Sequence, residues 1–560
     1  MMWFPYRNQL HLHDLQRISK WLISKSILTV QDRHISTSAF KWTKLNMANK
    51  QTNTATHKHA TQMFESAVSA VLPQHMISEH VQFETEKNIL RVDDREYKVN
   101  KNVYVVGIGK AVCGMARAVD NILRNHIQAG IISVPIGSVA SFKKAGKSEM
   151  ILTSDTKINV LEGAKNNLPD DNSHQSAKAI HQLVSSLTAK DILLVLISGG
   201  GSALLPSPFS PISLEDEMKL TQILSRRAAT IQQLNLVRKN IEILKGGGLA
   251  IEAHPAKVIS LILSDVIGDP LDTIASGPTV PDPSTPKQCI DLFEEFKVLD
   301  HVPSSVIEHL QALVNSPEKQ ASEQHDWSHV QNVIVGSNTK AALRAAKEAT
   351  ALGYISYILS TTLDGEAKEI GSLFVQLTEY ICLVYKSKHY GERIPALVEL
   401  EFEIIKKGIE KSSINELIKA IEMSRNSGQG LCVISGGETT VNIKGSGKGG
   451  RNQEMVLSSA IAYGKSLSSN RNLEHFDVHF LSAGTDGQDG PTEAAGAVIS
   501  AEFIKQAEDK GLDLQEYLDN NDSNTLFSMF TNALVETGFT GTNVMDLQIL
   551  LVNYNQLNNQ

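Results

Sequence analysis

A glycine-rich loop with two cations lies in the last quarter of the chain. Residues 445–454, GSGKGGRNQE, place four glycines within six positions, beside Lys448 and Arg451. Backbone N–H groups without side chains around them, together with fixed positive charges, suit a polyanion such as a nucleoside triphosphate. The loop therefore predicts phosphate binding, with Gly447, Lys448, Gly449 and Gly450 as candidate contacts.

A pair of aspartates follows the next apolar run. In residues 481–497, LSAGTDGQDGPTEAAGA, Asp486 and Asp489 are three positions apart. Carboxylates close to a phosphate-binding loop commonly hold Mg²⁺. The two segments together favour phosphoryl transfer over a binding module.

Three more polar motifs follow short apolar runs that are typical of buried parallel strands. Ligands of such sheets bind at the carboxyl ends of the strands, so the motifs predict one cleft. The runs are residues 103–106, 192–197 and 258–263, and the motifs that follow are GIGK (107–110), SGGGS (198–202) and SDVIGD (264–269).

Lys110 and the triple glycine are candidate contacts for an anion. Lys110 opens a predicted helix, where the helix dipole disfavours a cation, and this conflict favours function over a solvated lysine. A tight structural turn needs one or two glycines, so three in a row favour close approach by a ligand. The candidates are Gly199, Gly200, Gly201 and Ser202.

Two other candidates leave alternatives open. Arg238, Lys239 and Lys245 cannot share one helix face, so some are solvated, and Arg238 is the substrate candidate among them. Asp265 is a candidate for metal or substrate, while Asp269, directly before Pro270, fits a helix cap equally well.

Several enzyme classes lack their motifs in this chain. There is no Walker A pattern, so a kinase here is not of the P-loop class, and there is no Gly-x-Ser-x-Gly elbow of a serine hydrolase. The run that begins at Gly107 resembles a dinucleotide fingerprint, but Val112 takes the place of its third glycine.

Length and composition indicate a multidomain α/β protein. A chain of 560 residues exceeds one core, and the alternation of strand-like and helical runs predicts parallel or mixed sheets flanked by helices. We expect domains at 57–310 and 325–555, joined by a Pro-rich hinge at 281–330. The second would open with a strand at 333–335 and carry a helical insertion near 384–427.

Charge and targeting signals separate the N-terminus from the body. Residues 1–56 hold eight Lys or Arg and two Asp, whereas the remainder carries a net charge of −14. An acidic body without a long apolar run predicts no nucleic-acid or membrane partner. The basic segment is typical of a mitochondrial targeting or disordered leader, and Met47 would provide a start for a cytoplasmic form. Four scattered cysteines indicate a reducing compartment.

Six collinear motifs resemble those of the class II glycerate kinases, also called the MOFRL family. The resemblance runs from about residue 60 to 550, with the MOFRL region at about 430–550. The motifs are ISGGGSALL (197–205), VRKNIEILKGGGLA (237–250), LILSDVIGDPLDTIASGPTV (261–280), ISGGETTV (434–441), GSGKGGRNQE and AGTDGQDGPTEAAGA.

The resemblance implies the activity and its residues. It implies phosphorylation of D-glycerate by ATP with Mg²⁺, giving 2-phospho-D-glycerate, in a cleft between two Rossmann-like α/β domains. Lys110 and Arg451 would be the catalytic cations, Glu438 a metal or substrate ligand, and Asp265 and Asp486 metal ligands. We expect a monomer or a homodimer.

Two alternatives accompany this resemblance. Members of the family often carry the label hydroxypyruvate reductase, which would require NAD(P)H and conflicts with Val112 in the fingerprint. An inactive sugar-acid sensor would not need the catalytic cations that are present.

Overall fold

The predicted alternation of strands and helices is confirmed in the computed structural model, which describes residues 43–315, 325–387 and 395–555, with side chains from Ala55 onward. The helices are α1 (Thr43–Ala70), α2 (Pro73–His80), α3 (Val112–Leu123), α4 (Ser138–Lys144), α5 (Asp171–Val184), α6 (Gly201–Leu204), α7 (Leu214–Arg226), α8 (Ile231–Ile241), α9 (Gly248–Ala253), α10 (Pro286–Glu295), α11 (Ser304–Val314), α12 (Asn338–Ala351), α13 (Ala367–Lys386), α14 (Pro395–Lys406), α15 (Lys411–Ser427), α16 (Arg451–Ser469), α17 (Ala501–Asp509), α18 (Leu514–Asp519) and α19 (Ser523–Ser528). The strands are β1 (Val81–Glu84), β2 (Ile89–Val92), β3 (Arg95–Lys98), β4 (Val103–Ile108), β5 (Ile127–Pro135), β6 (Ile158–Gly163), β7 (Ile192–Ile197), β8 (Lys257–Leu263), β9 (Val330–Gly336), β10 (Ile355–Leu363), β11 (Leu431–Gly437), β12 (Phe476–Gly484), β13 (Gly496–Ser500), β14 (Leu534–Val535) and β15 (Asp546–Tyr554).

The first large sheet is parallel throughout and has the strand order of a doubly wound Rossmann fold. Its order is β6-β5-β4-β7-β8-β9. The sequence of β7, ILLVLI, is buried along its whole length, as expected for a strand covered on both faces. The order reverses between β4 and β7, so a crevice opens at their carboxyl ends, where Lys110 and the triple glycine follow.

The second large sheet is mixed, with the order β10-β11-β15-β12-β13-β14. Strand β15 runs antiparallel between β11 and β12, so it begins where both neighbours end. The register pairs Asp546 with Gly437 on one side and with Gly484 on the other. The start of β15 therefore joins the two loops that carry Glu438 and Asp486.

A shared apolar core connects the two sheets. One cluster of buried side chains includes Val105 of β4, Leu261 of β8 and Ile549 of β15. Helix α12 follows β9 and contributes only alanines to this cluster, which allows close packing against β10 and β11. These alanines are Ala341, Ala342, Ala345, Ala346 and Ala349.

One strand lies in a different sheet from the one the sequence predicts. The strand predicted at 333–335 as the start of the second region is β9, which pairs with β8 at the edge of the first sheet. Within the described part of the predicted hinge, α10 and α11 form two regular helices. The domain limits at 57–310 and 325–555 stay a prediction, and α14 and α15 occupy much of the stretch near 384–427.

The remaining comparisons with the sequence analysis concern the leader, the cysteines, membrane spans and a small extra sheet. Most of the 1–56 leader lies outside the described residues. All four cysteines are buried, and none of them forms a disulfide bond. In the described ranges, no helix is long and apolar enough to cross a bilayer. A small antiparallel sheet, β1-β2-β3, was not predicted, because each of its strands has only four residues.

Candidate active site

The loops after β4 and β7 are fastened to each other at the crevice. The Lys110 amide donates to the Gly199 carbonyl oxygen at 3.0 Å, and the Ala111 amide donates to Ser198 Oγ at 3.0 Å. The Lys110 side chain is exposed and passes over Gly200. These bonds hold the base of the lysine while its ammonium group faces the crevice.

Each glycine of the triple makes room for a protein side chain. A Cβ on Gly199 would lie 1.7 Å from Asp265 Oδ2, and a Cβ on Gly200 would lie 3.2 Å from Lys110 Cε. A Cβ on Gly201 would lie 2.7 Å from Ala275 Cβ. The glycines therefore let the functional side chains approach one another, a reason that the sequence alone did not supply.

Arg451 is the first residue of α16 and is held by two carboxylates of the second sheet. Its Nε and Nη2 donate to Asp546 Oδ2 and Oδ1 at 2.6 and 2.9 Å, and its Nη1 lies 3.0 Å from Glu438 Oε1. Burial alone would lower the pKa of Arg451, but the hydrogen bonds and charge of Asp546 raise it overall. Asp546 is fully buried, whereas Arg451 remains 30% exposed toward the site.

Three carboxylates, which come from both sheets, act electrostatically on Glu438. Burial raises the pKa of Glu438; Arg451 opposes the shift, and the charges of Asp546, Asp265 and Asp486 add to it. Burial also raises the pKa of Asp265, against the nearby Lys110 ammonium. Asp265 of the first sheet and Glu438 of the second therefore lie within electrostatic reach of each other.

The Lys110 ammonium also acts electrostatically on carboxylates from both sheets. Burial raises the pKa of Asp486; a backbone hydrogen bond from Gln488 opposes the shift, Asp546 adds to it, and both Arg451 and Lys110 oppose it. Thus Lys110 acts on carboxylates of both sheets. The structure brings together Lys110, Asp265, Glu438, Arg451 and Asp486, which the sequence had proposed one by one.

The arrangement suits a cation that a ligand helps to coordinate. Among the described side chains, no group of three His, Cys, Asp or Glu residues is arranged to hold a metal ion alone. Mg²⁺ normally takes only one or two protein carboxylates and completes its shell with phosphate oxygens and water. Asp265 and Asp486, whose charged forms are both disfavoured by burial, fit that requirement.

Asp489 binds the first turn of a helix, unlike Asp486, which lies among the charged groups of the site. Its carboxylate accepts the amides of Asn452 and Gln453 at 3.0 and 2.9 Å, so it caps the first turn of α16. Burial, opposed by these hydrogen bonds, raises the pKa of Asp489 to about 6. Asp489 thus orients the helix that begins with Arg451, and it is not available as a partner of Asp486.

The amides of residues 444–448, in the first part of the glycine-rich loop, already have protein partners. The Lys444 and Gly445 amides donate to Asn521 Oδ1, and the Lys448 amide donates to Asp522 Oδ1 at 2.8 Å. The Gly447 amide donates to the Asn520 carbonyl oxygen at 3.0 Å. The Lys448 side chain is exposed, and Gly449 and Gly450 lead into α16. Phosphate binding by Gly447, Lys448, Gly449 and Gly450 stays a prediction, with the lysine side chain as its best-placed group.

The remaining candidates lie on the β8 side of the crevice. Ser202 Oγ is 2.8 Å from Ser276 Oγ, and Ser276 Oγ donates to Asn235 Oδ1 at 2.9 Å. Arg238 Nη1 donates to the same Asn235 oxygen at 3.4 Å. Arg238 therefore belongs to the neighbourhood of the triple glycine and not to that of Arg451.

Two residues that support the site were missed in the sequence. Asp546 holds Arg451, and Asn338 Nδ2 donates to the carbonyl oxygens of Val544 and Asp546, each at 2.8 Å. An acid at the start of the last strand was the one available signal for Asp546, and it is a weak one. Asn338 lies directly after the N-cap Ser337, where nothing in the sequence predicts contact with a distant strand.

The incomplete dinucleotide fingerprint has a packing explanation. A Cβ on Gly107 would lie 2.5 Å from Val112 Cγ1, and Val112 is fully buried at the start of α3. The valine side chain fills the space between β4 and α3. Nothing in this contact favours a nicotinamide site.

Comparison with known proteins gives the family. A domain of unknown function, DUF4147, matches residues 59–311, and the MOFRL family matches residues 431–546. Glycerate kinase from Rattus norvegicus is 42% identical over 88% of this chain and 92% of its own length. Glycerate 2-kinase from Pyrococcus horikoshii is 33% identical over 87% of this chain and 95% of its own. The crystal structure of glycerate kinase from Thermotoga maritima superposes with a TM-score of 0.68, at 32% identity, covering 89% of this chain and 99% of that one.

These matches extend over nearly all of the residues that build both sheets and the crevice between them. They agree with the order of motifs along the chain and with the doubly wound first sheet. The chain belongs to the glycerate kinase family of the MOFRL type.

Proposed function

We propose that this chain transfers the γ-phosphoryl group of ATP to the 2-hydroxyl group of D-glycerate, giving 2-phospho-D-glycerate and ADP. One observation carries the proposal: two cations, Lys110 and Arg451, flank the carboxylates Asp265, Glu438 and Asp486 where the strands of both sheets end. Its support from relatives is that the Pyrococcus horikoshii protein is a glycerate 2-kinase.

The two cations would stabilise the transferring group. The hydroxyl oxygen of the acceptor forms a bond to the γ-phosphorus while the bond from phosphorus to the β–γ bridging oxygen breaks. The hydroxyl proton is released, and ADP leaves. Catalysis of such a step is mostly positioning and electrostatic stabilisation of the phosphoryl oxygens. Lys110 can supply that charge from the first sheet and Arg451 from the second, because each is tied to its own sheet.

The carboxylates would hold the magnesium ion of the nucleotide. Asp265 and Asp486 are the protein ligands that we propose, and Glu438 is oriented by its ion pair with Arg451. Bound there, Mg²⁺ supplies neutralisation of the phosphate charge. Since the described acids do not form a three-residue site, the phosphates themselves are needed to complete the shell.

A product assay on the full chain tests the proposal. The protein is incubated with D-glycerate, ATP and Mg²⁺, then with enolase alone, or with enolase and phosphoglycerate mutase. Phosphoenolpyruvate formed with enolase alone supports 2-phosphorylation. A signal that requires the mutase places the phosphoryl group on the 3-hydroxyl instead. Oxidation of NADH with hydroxypyruvate, without ADP formation, would favour the reductase alternative.

We further propose that residues 1–56 direct part of the protein to mitochondria, because they are basic and contain only two acids. Fusion of these residues to a fluorescent protein tests this. Diffuse cytoplasmic fluorescence of the fusion would contradict it.

A further inference from the structure

Three cations lie on or just after helix α8, and two of them are already neutralised. Lys245 is buried in an ion pair with the buried Glu242. Lys239 Nζ lies 3.2 Å from Asp272 Oδ2 and 3.6 Å from Asp282 Oδ1. Arg238, in contrast, has no carboxylate within 4.0 Å among the residues that the structure describes. The Arg238 guanidinium can therefore form an ion pair with an anionic ligand.

The acid that acts on Arg238 from a longer distance is Glu217. Burial, followed by the charge of Glu242, raises the pKa of Glu217 well above its ordinary value and so favours its neutral form. Arg238 itself lies on a half-buried face of α8, with no carboxylate at ion-pair distance among the described residues.

A chain of hydrogen bonds connects Arg238 to Ser202, the residue that follows the triple glycine. Asn235 and Arg238 are one turn apart on α8. Asn235 Oδ1 accepts a hydrogen bond from Ser276, in the short 3-10 turn Ile274–Ser276, and another from Arg238 Nη1. The hydroxyl of Ser276 is occupied, because it donates to Asn235 Oδ1. Among the described residues, the Ser202 hydroxyl is bonded only to Ser276 Oγ, so it can turn to a ligand while Ser276 stays fixed.

The turn Ile274–Ser276 has a strained backbone, which its surroundings hold in place. Ala275 and Ser276 have φ angles of +51° and +60°, in the left-handed region that disfavours residues with a Cβ. Such strain persists where the surroundings determine the backbone, and it is concentrated at functional sites. Here the Ala275 Cβ lies against Gly201, which fixes Ser276 beside Ser202.

We propose that Arg238, with the Ser202 hydroxyl, binds the carboxylate of the acid that is phosphorylated. A guanidinium group presents two parallel N–H donors that match the two oxygens of a carboxylate. Ser202 lies two residues after Gly200, over which Lys110 passes, so a short acid bound by its carboxylate extends toward Lys110. The inference rests on the proposed function, and it makes Arg238 the residue that selects a hydroxy acid over a neutral polyol.

Arg238→Ala and Arg238→Gln test the proposal, with Lys239→Ala as the matched control on the same helix. Loss of a charge-assisted pair should raise the KM for D-glycerate about 10- to 100-fold, with the KM for ATP changed by less than about threefold. Lys239→Ala should leave both values within about threefold of wild type, because its charge is already paired. Arg238→Gln keeps the length of the side chain and serves if Arg238→Ala does not fold.

A neutral substrate separates recognition of charge from a structural effect. For D-glyceramide, which lacks the carboxylate, kcat/KM should be nearly the same in wild type and in Arg238→Gln. Equal losses with glycerate and glyceramide, or equal effects of Arg238→Gln and Lys239→Ala, would overturn the inference and leave the kinase proposal standing. A wild-type chain that does not phosphorylate D-glycerate would overturn both.

Discussion

Replacement of Asp546 by Asn tests whether the second sheet holds Arg451 in its working position. Asn has nearly the same shape as Asp, but it is uncharged and offers an N–H group where Arg451 also presents one. One of the guanidinium donors, now 2.6 or 2.9 Å from a carboxylate oxygen, would lose its acceptor. The change therefore removes the anchor of Arg451 without creating a cavity.

The structure sets the size of the effect. Loss of one partner from a buried ion pair costs about 3–5 kcal/mol in unfolding free energy. We expect the lower end, about 3 kcal/mol, because Arg451 is 30% exposed and keeps Glu438 as a partner. Loss of one preorganised group that stabilises transition-state charge costs about 100- to 1000-fold in kcat, and a displaced Arg451 should approach that loss.

Two assays measure this prediction. The rate of ADP release gives kcat, and urea unfolding gives the change in stability. Arg451→Ala and the double variant complete a cycle, in which the double variant should be about as slow as Arg451→Ala alone, because both changes remove one function. Wild-type kcat in Asp546→Asn, or losses that multiply in the double variant, would show that Asp546 does not position Arg451 for catalysis.

Three further predictions concern the glycine triple, the helix cap and the glycine-rich loop. Gly199→Ala should lower kcat about 100-fold in a folded protein, since its Cβ would lie 1.7 Å from Asp265 Oδ2; kinetics together with a thermal melt check this, and normal turnover would contradict it. Asp489, with its pKa raised to about 6, binds its proton more tightly in the folded chain than in the unfolded one. The stability of wild type relative to Asp489→Asn should therefore fall, on the order of 3 kcal/mol, as the pH rises from about 4 through about 6, and urea unfolding that shows a rise would exclude this sign. Lys448→Ala should raise the KM for ATP about three- to tenfold at unchanged thermal stability, and an unchanged KM would remove the loop from the nucleotide site.

The first sheet could be predicted because its signals are local. An apolar run such as that of β7, followed by glycines, indicates a buried strand and its carboxyl end. Helix α8 likewise begins with a capping box between Thr230 and Gln233. The sheet to which β9 belongs was not predictable, because the spacing of apolar residues identifies a strand and not its neighbour.

Site residues that lie in sequence motifs could be predicted, whereas residues whose position depends on the register between strands could not. Asp546 reaches Arg451 only because β15 is antiparallel and begins between the ends of β11 and β12. The glycine-rich loop shows the opposite difficulty. Its composition indicates available amides, but Asn520, Asn521 and Asp522, distant in sequence, provide acceptors for the amides of residues 444–448.

The most direct measurement compares product formation by wild type, Lys110→Met and Arg451→Ala, with saturating ATP, Mg²⁺ and D-glycerate. Each variant removes one cation that we propose stabilises the transferring phosphoryl group. We predict 2-phospho-D-glycerate from wild type and a loss of about 100-fold or more in kcat for each variant. Turnover near the wild-type rate in either variant would contradict the proposed catalytic roles of Lys110 and Arg451.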